Sequence, residues 1–472
     1  MLRSLTIENF RSFRSASVSF APSGLTVVIG ANGSGKSNLI KALDFVGSVA
    51  RQGLDATVRA HGLVEGIVPK AIPFPSVRHT DIRLKHEVEL PPFEGYPPDG
   101  PALLCAHEIT LSTRSTRHVE VVHESLYFAD PLLVQELLSA AEVANHPTRL
   151  RLPEYVPSSL SVERRRDGEI SVHLDPEVSP NNIDAYLGWF GLNFIADAFK
   201  QEARHDALPT TINHLFNSAA REQSKDRSRR IPVSLLDPGG SSLIAFSSEA
   251  RTLQAYLGTI RKYDMHLAEL RQQQTITTEQ EIAPDGRGMP AAVRFLRDSS
   301  ARRESWQRLF ATLRDVAPQI SDATVSQLRS GEEFVQFFEQ KTGRPVESWH
   351  ASDGTLRVLA ILLALETHSR GVLLIEEPEQ GLHPWAVRTL VSHIRDVIRE
   401  RQIQVVLTTH SQQVLECVEP AEVVLSARSP DQGSTLTALT DVCDARNIAF
   451  GDVGRLWVNG LLGAVPTYEF AE

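Results

Sequence analysis

The chain has 472 residues, 42% of them hydrophobic and 22% charged, with a net charge of −10. That length is too great for one simple core and predicts two or three domains, or one domain with large insertions. The acidic balance excludes nucleic-acid binding by bulk charge alone, and the widely spaced Cys105, Cys417 and Cys443 exclude a disulfide framework or a cysteine metal site and indicate a reducing compartment.

Met1 to Phe10 is an amphipathic strand with charges in it, not a signal peptide. Residues 2–8 and 16–20 predict two strands around a turn at Arg11–Arg14. The longest clear apolar run, Val358–Leu365, is far too short to span a bilayer. A cytoplasmic protein without a membrane partner is expected.

Leu25-Thr-Val-Val-Ile29 is apolar and β-branched, as a buried parallel strand requires. It runs into Gly30-x-x-x-x-Gly35-Lys36-Ser37, a phosphate-binding loop. Backbone N–H groups of such a turn wrap a polyphosphate, Lys36 adds a point charge at the β/γ-phosphates, and the Ser37 hydroxyl binds Mg²⁺. The helix from Lys36 aims its positive end at the same anion. Gly30, Asn32, Gly33, Ser34, Gly35, Lys36, Ser37 and Asn38 are therefore the expected contacts of a bound nucleoside triphosphate.

Residues 51–80 read as loop. Asp81–Leu90 alternates as a half-buried strand, and two more strands are expected near 103–112 and 117–128, together an antiparallel side sheet. Val162–Leu174 reads as a hairpin with an Asp167-Gly168 turn. Asn213–Arg230 begins as helix and becomes strongly charged. Helices are predicted over Ser247–Gln274 and Pro290–Val316, around a turn at Pro284-Asp-Gly286. The basic runs Arg164-Arg-Arg166 and Lys225–Arg230 are the candidate DNA contacts, although a solvated face accounts for them as well.

The last third has β-α-β order, which builds a parallel sheet. Ser352-Asp-Gly354-Thr-Leu-Arg357 opens a helix, where Ser352 can cap and Gly354 permits close backbone approach; a plain helix cap explains the same stretch. Gly371–Ile375 is a buried strand ending in Glu376-Glu377. In a phosphate-loop fold the first acid holds Mg²⁺ through water and its neighbour can polarise the attacking water. Ile403–Thr408 is another strand, and His410 just beyond it can donate a hydrogen bond to the γ-phosphate.

Taken together, Ile7-Glu-Asn-Phe-Arg-Ser-Phe13, Gly30–Ser37, Ser352–Arg357, Leu374-Ile-Glu-Glu-Pro-Glu-Gln-Gly-Leu-His-Pro384 and Thr408-Thr-His-Ser411 resemble the ABC-type ATPases of the RecF, SMC and OLD-nuclease group, in particular stand-alone RecF-like (AAA_21-type) bacterial ATPases. A looser likeness takes in Ile260-Arg-Lys-Tyr263 and the Asp285-Gly286 turn. The resemblance implies an α/β fold: an ABC-type P-loop ATPase head, with a mixed sheet, helices and an antiparallel side sheet, and a mainly helical middle insertion. It divides the chain into 1–130, the first half of the head, 131–340, the insertion, and 341–472, the second half.

The same resemblance implies ATP and Mg²⁺ as cofactors, Glu377 as catalytic base, His410 as switch histidine and Lys36 as the phosphate cation. It implies a homodimer closed through the heads, with Ser352 and Gly354 meeting the nucleotide of the partner subunit, and Gly381–Pro384 at the interface. Glu376 stands where many relatives have Asp, and no glutamine is identified to complete the Mg²⁺ shell. The expected role is an ATP-hydrolysing switch in DNA repair or anti-phage defence. No nuclease-type carboxylate cluster follows His410, so a nuclease or effector (TOPRIM-like among the candidates) is expected on a separate chain. A scaffold restraining a toxic effector is the alternative, and a transporter ATPase a weaker one.

Overall fold

The computed structural model describes residues 1–69, 81–90, 103–113, 119–129, 158–164, 170–174, 248–368, 370–429, 431–442 and 451–462. In chain order they form β1 (Leu2–Phe10), β2 (Phe13–Ser19), β3 (Leu25–Ile29), α1 (Lys36–Gln52), α2 (Leu54–Ala60), α3 (Leu63–Ile67), β4 (Asp81–Leu90), β5 (Leu103–Ser112), β6 (Glu120–Ala129), β7 (Ser158–Arg164) and β8 (Ile170–Leu174). Then follow α4 (Ser248–Gly258), β9 (Arg261–Tyr263), α5 (Leu267–Arg271), β10 (Gln274–Thr275), α6 (Met289–Asp298), α7 (Arg303–Val316), β11 (Ile320–Gln327), β12 (Glu332–Glu339) and β13 (Pro345–Glu347). The last are α8 (Asp353–Thr367), β14 (Gly371–Glu376), α9 (Pro384–Arg401), β15 (Ile403–Thr409), α10 (Gln412–Leu415), β16 (Val423–Ser429), β17 (Gly433–Ala438), α11 (Leu439–Val442) and α12 (Asp452–Val458).

The described parts of 23–40, 261–427 and 437–472 make one unit. Its parallel sheet runs β16-β3-β15-β14-β9. Every residue of β3 and β15 is buried, which is why these strands read as unbroken apolar runs rather than alternating ones. Helix α8 is buried on nearly all sides, from Thr355 to Thr367. Each of its leucines contributes about 1.5–3 kcal/mol of burial, an upper bound. The fully buried Glu366 accepts from Arg308 at 2.8 and 3.0 Å, tying α8 to α7. A second, antiparallel sheet, β10-β12-β11 with β13 on β12, lies in the same unit.

The described parts of 1–22, 41–260 and 428–436 make the other unit. Its strands run β8-β7-β6-β5-β4-β1-β2, all antiparallel. Strand β4 alternates between buried and partly exposed positions from Ile82 to Leu90, the signature of a one-sided sheet. This is the side sheet expected over 81–90, 103–112 and 117–128.

Four local expectations change, one being that the helix expected over Pro290–Val316 is broken into α6 and α7. Part of the 51–80 stretch is helical, as α2 and α3. The helix expected over Ser247–Gln274 is broken into α4, β9 and α5. Residues 320–347 carry an antiparallel sheet that the middle of the chain was not expected to hold. The expected Asp167-Gly168 turn, the helix at Asn213–Arg230 and the Lys225–Arg230 run lie outside the described residues, as do the side chains of Arg164–Arg166.

Candidate nucleotide site

Strand β3 delivers the chain to Gly30 at the carboxyl edge of the parallel sheet, and α1 leaves from Lys36. A Cβ on Gly30 would lie 2.1 Å from the Ser426 carbonyl oxygen and 2.6 Å from Ser34 Oγ, so only glycine fits there. Gly33 (φ 75°) and Gly35 (φ 126°) take left-handed backbone that other residues adopt at a cost. Asn38 N and Leu39 N donate back to Gly35 O at 2.9 and 3.0 Å, starting the helix directly from the loop.

Lys36 is buried, and its ammonium donates to the carbonyls of Gly30 and Ala31 at 2.9 and 3.0 Å. Burial lowers its pKa below the ordinary lysine value, and the charges of Glu377 and Glu376 oppose this only in part. The buried Ser34 Oγ meets no hydrogen-bond partner among the described residues. A cation held only by loop carbonyls and an unanswered hydroxyl, on a loop that glycines keep open, fit an anionic polyphosphate.

Glu376 ends β14, and its two oxygens have different partners. Oε2 accepts from Ser37 Oγ at 2.5 Å, and Oε1 pairs with Lys262 Nζ at 2.8 Å. A hydroxyl and a carboxylate side by side at a phosphate loop are a hard-oxygen donor set suited to Mg²⁺. The next residue, Glu377, has φ 45°, in the left-handed region that is costly for a side-chain-bearing residue. Its N–H donates to Thr408 O at 2.9 Å, and its Oε1 stands 3.8 Å from His410 Nε2. Burial and the nearby Lys36 charge lower the His410 pKa, against the pull of Glu377.

Lys36, Ser37, Glu376, Glu377 and His410 thus converge at the carboxyl ends of β3, β14 and β15. Sequence reasoning gave no role to two further residues. Glu379 Oε1 accepts from Thr409 Oγ1 at 2.5 Å and from His410 N at 3.2 Å, fastening the loop after β14 to the end of β15. Burial raises its carboxyl pKa despite these hydrogen bonds. It lies inside the matching Leu374–Pro384 stretch, and that was its only sequence signal. Lys262 comes from a three-residue strand too short to show any periodicity.

Ser352 and Gly354 have partners of another kind. Ser352 Oγ accepts from Thr355 N at 3.2 Å as the N-cap of α8. A Cβ on Gly354 would lie 2.7 Å from Gly381 O, so this glycine allows α8 to pack against the Gly381 loop. Arg271 donates to Trp349 O at 2.7 Å and pairs with Asp353, steadying the turn before the helix.

Residues 160–416, more than half of the chain, match the family model AAA_21, described as "AAA domain, putative AbiEii toxin, Type IV TA system". Residues 1–60 match the model AAA_15, "AAA ATPase domain". Among solved structures, an Smc head domain with coiled coil and joint from Pyrococcus yayanosii is 14% identical, with a TM-score of 0.43 over 98% of this chain and 99% of that one. An Smc head with an extended coiled coil bound to the C-terminal domain of ScpA, from Pyrococcus furiosus, is 14% identical at a TM-score of 0.39, covering 92% and 95%. The SMC head domain from Thermotoga maritima is 13% identical at 0.36, covering 93% and 98%. With its phosphate loop, its acid strand and a family match over more than half of the chain, this protein belongs to the AAA_21 family, and its first 60 residues match an AAA ATPase domain.

Proposed function

We propose that this chain is an ATP-hydrolysing switch that acts through a separate effector protein, in anti-phage defence or DNA repair. The observation that carries the reading is the meeting of Lys36, Ser37, Glu376, Glu377 and His410 at one sheet edge. In this reading Lys36 exchanges the Gly30 and Ala31 carbonyls for the β/γ-phosphate oxygens. Loop amides and the Ser34 hydroxyl take further phosphate oxygens, and Asn32, Gly33, Gly35 and Asn38 line the same bound nucleotide. Ser37 and Glu376 would hold Mg²⁺, which when bound neutralises phosphate charge.

Glu377 takes a proton from the attacking water as its oxygen bonds to the γ-phosphorus and the bond to the ADP oxygen breaks. His410 donates a hydrogen bond to the γ-phosphate. Ser352 and Gly354 serve the nucleotide of a second copy across a head dimer. Membership of a family described by a putative toxin of a type IV toxin–antitoxin system favours defence over repair. DNA is the candidate activator.

The test is ATP binding and turnover by the purified protein, with and without Mg²⁺ and DNA, joined to capture of co-purifying proteins in ATP and in ADP. Mg²⁺-dependent ATP turnover and an ATP-dependent partner support the switch. Absence of nucleotide binding ends it.

A further inference from the structure

Lys262 belongs to none of the nucleotide-site motifs, yet it touches the carboxylate on which the proposed metal site depends. It stands on β9, the parallel neighbour of β14, with Lys262 opposite Leu374 and Tyr263 opposite Ile375. Side chains alternate along a strand, so Leu374 and Glu376 share one face, and Lys262, in register with Leu374, shares it too. Its ammonium reaches 2.8 Å to Glu376 Oε1 and 3.2 Å to Asp264 Oδ2. The chain beyond β9 is fastened separately: Asp264 N donates to Pro284 O at 2.9 Å and His266 N to Asp285 O at 3.1 Å. The Lys262 side chain is only 18% exposed, so its ion pair escapes most of the screening that weakens surface pairs.

A glutamate has one more methylene and one more torsion than an aspartate, and so more rotamers from which to miss its target. Here both carboxylate oxygens are engaged, Oε2 by Ser37 and Oε1 by Lys262. Two anchors from different elements leave the carboxylate one orientation.

We propose that Lys262 is a positioning residue for the metal–nucleotide complex: it holds Glu376 Oε1 so that Oε2 stays beside Ser37 before Mg²⁺ and ATP arrive. This rests on the reading of Ser37 and Glu376 as the metal-holding pair. A fixed cation also repels a second one, but the Lys262 charge is shared between two carboxylates, Glu376 and Asp264. Asp264 offsets part of that repulsion, and in this proposal the gain in orientation outweighs the rest.

The test uses the full-length protein and a non-hydrolysable ATP analogue, with binding measured by calorimetry across a Mg²⁺ titration and again in chelator. Lys262→Met is expected to raise the Mg²⁺ concentration for half-maximal binding about 10–100-fold, the usual consequence of losing a partner of a metal-holding group. Affinity in chelator should stay within about twofold, because the loop and Lys36 are untouched. Lys262→Arg, which keeps the charge, should retain most of the wild-type metal response. In a Glu376→Gln background, Lys262→Met should add no further shift, since both act through one carboxylate. Lys262→Gln replaces the methionine variant if that protein does not fold. A shift below about threefold, a lowered Mg²⁺ requirement, or a full additional shift in the Glu376→Gln background would overturn the assignment. A wild-type protein whose analogue binding ignores Mg²⁺ would instead overturn the functional reading beneath it.

Discussion

At the end of β14 and the phosphate loop, charged and polar groups are held in arrangements that folding alone does not require. Lys36 is buried with carbonyls as its hydrogen-bond partners, Ser34 Oγ is unanswered among the described residues, and Glu377 sits at φ 45°. At the start of α8 the featured residues are explained locally. Ser352 caps its own helix, and Gly354 makes room for the carbonyl of Gly381. A fold tolerates buried, unanswered or strained groups only where the surrounding structure over-determines them, and such groups cluster at functional sites. The phosphate-loop region therefore carries the functional weight, whereas the α8 start has a folding explanation that any functional role must be measured against.

The largest expected effect is at Lys36. Lys36→Ala removes the main cationic partner of a bound triphosphate, while alanine keeps the first turn of α1 helical. Nucleotide affinity should fall below detection in calorimetry with little change in melting temperature. An affinity equal to wild type would remove the basis for weighting this region over the other.

Next comes Glu377, where chemistry and strain separate. Glu377→Gln should keep ATP binding and lower turnover by about 10²–10⁴, the share of a positioned base. Glu377→Gly should lose turnover as fully but gain about 1 kcal/mol of stability, because glycine adopts the left-handed backbone freely. Steady-state hydrolysis together with thermal melts reads both. Normal turnover in Glu377→Gln would show that the base is elsewhere, and an unchanged melt in Glu377→Gly would show that the backbone there stores no strain.

What was legible follows from how local each signal is. Gly30–Ser37 fixes its own conformation, and β3, β14 and β15 are buried on both faces, so their apolar runs announce them. The side sheet was legible through the alternation of β4. By contrast β12, Glu332–Glu339, mixes three glutamates with two buried phenylalanines, and its neighbour β11 places serines and an aspartate among few apolar residues. Neither gives a clean period, and each becomes a strand by pairing with the other. Lys262 was hidden for a related reason: the looser likeness at Ile260–Tyr263 assigned it no role, and its place beside Glu376 comes from β9 lying beside β14, a tertiary fact. The Ser352 cap was readable, since Ser before Asp-Gly-Thr marks a helix start. The close approach of Gly354 to Gly381 was not, because the two lie in separate segments.

Gly354 tests the other side of the comparison. Gly354→Ala already brings a Cβ to 2.7 Å from a backbone carbonyl that cannot swing aside as a flexible side chain would. It should destabilise the protein by about 1–3 kcal/mol, the range for forced overpacking, with or without nucleotide. Gly354→Asp should be worse, adding a negative charge. A Gly354→Ala protein that melts normally but no longer changes mass with ATP in light scattering would reverse the weighting and move Gly354 into the nucleotide site of a dimer.

The smallest effect is expected at Ser352, and it is the most discriminating because cap and ligand roles make different demands on one hydroxyl. As a cap, Ser352 satisfies the N–H of Thr355 at 3.2 Å, and its hydroxyl also meets that of Thr355 at 2.8 Å. Ser352→Ala leaves that N–H without its acceptor and should cost about 1 kcal/mol in denaturant unfolding without nucleotide. Ser352→Asp supplies a cap as good or better and favours the positive end of α8, so it should restore the apo stability. Against a phosphate from a second copy, however, the same aspartate is repulsive. If Ser352 acts only as a cap, Ser352→Asp behaves as wild type in both unfolding and ATP-dependent assembly. If it also meets nucleotide across a dimer, Ser352→Asp is stable alone and fails to assemble with ATP, a split that the helix cap by itself cannot produce.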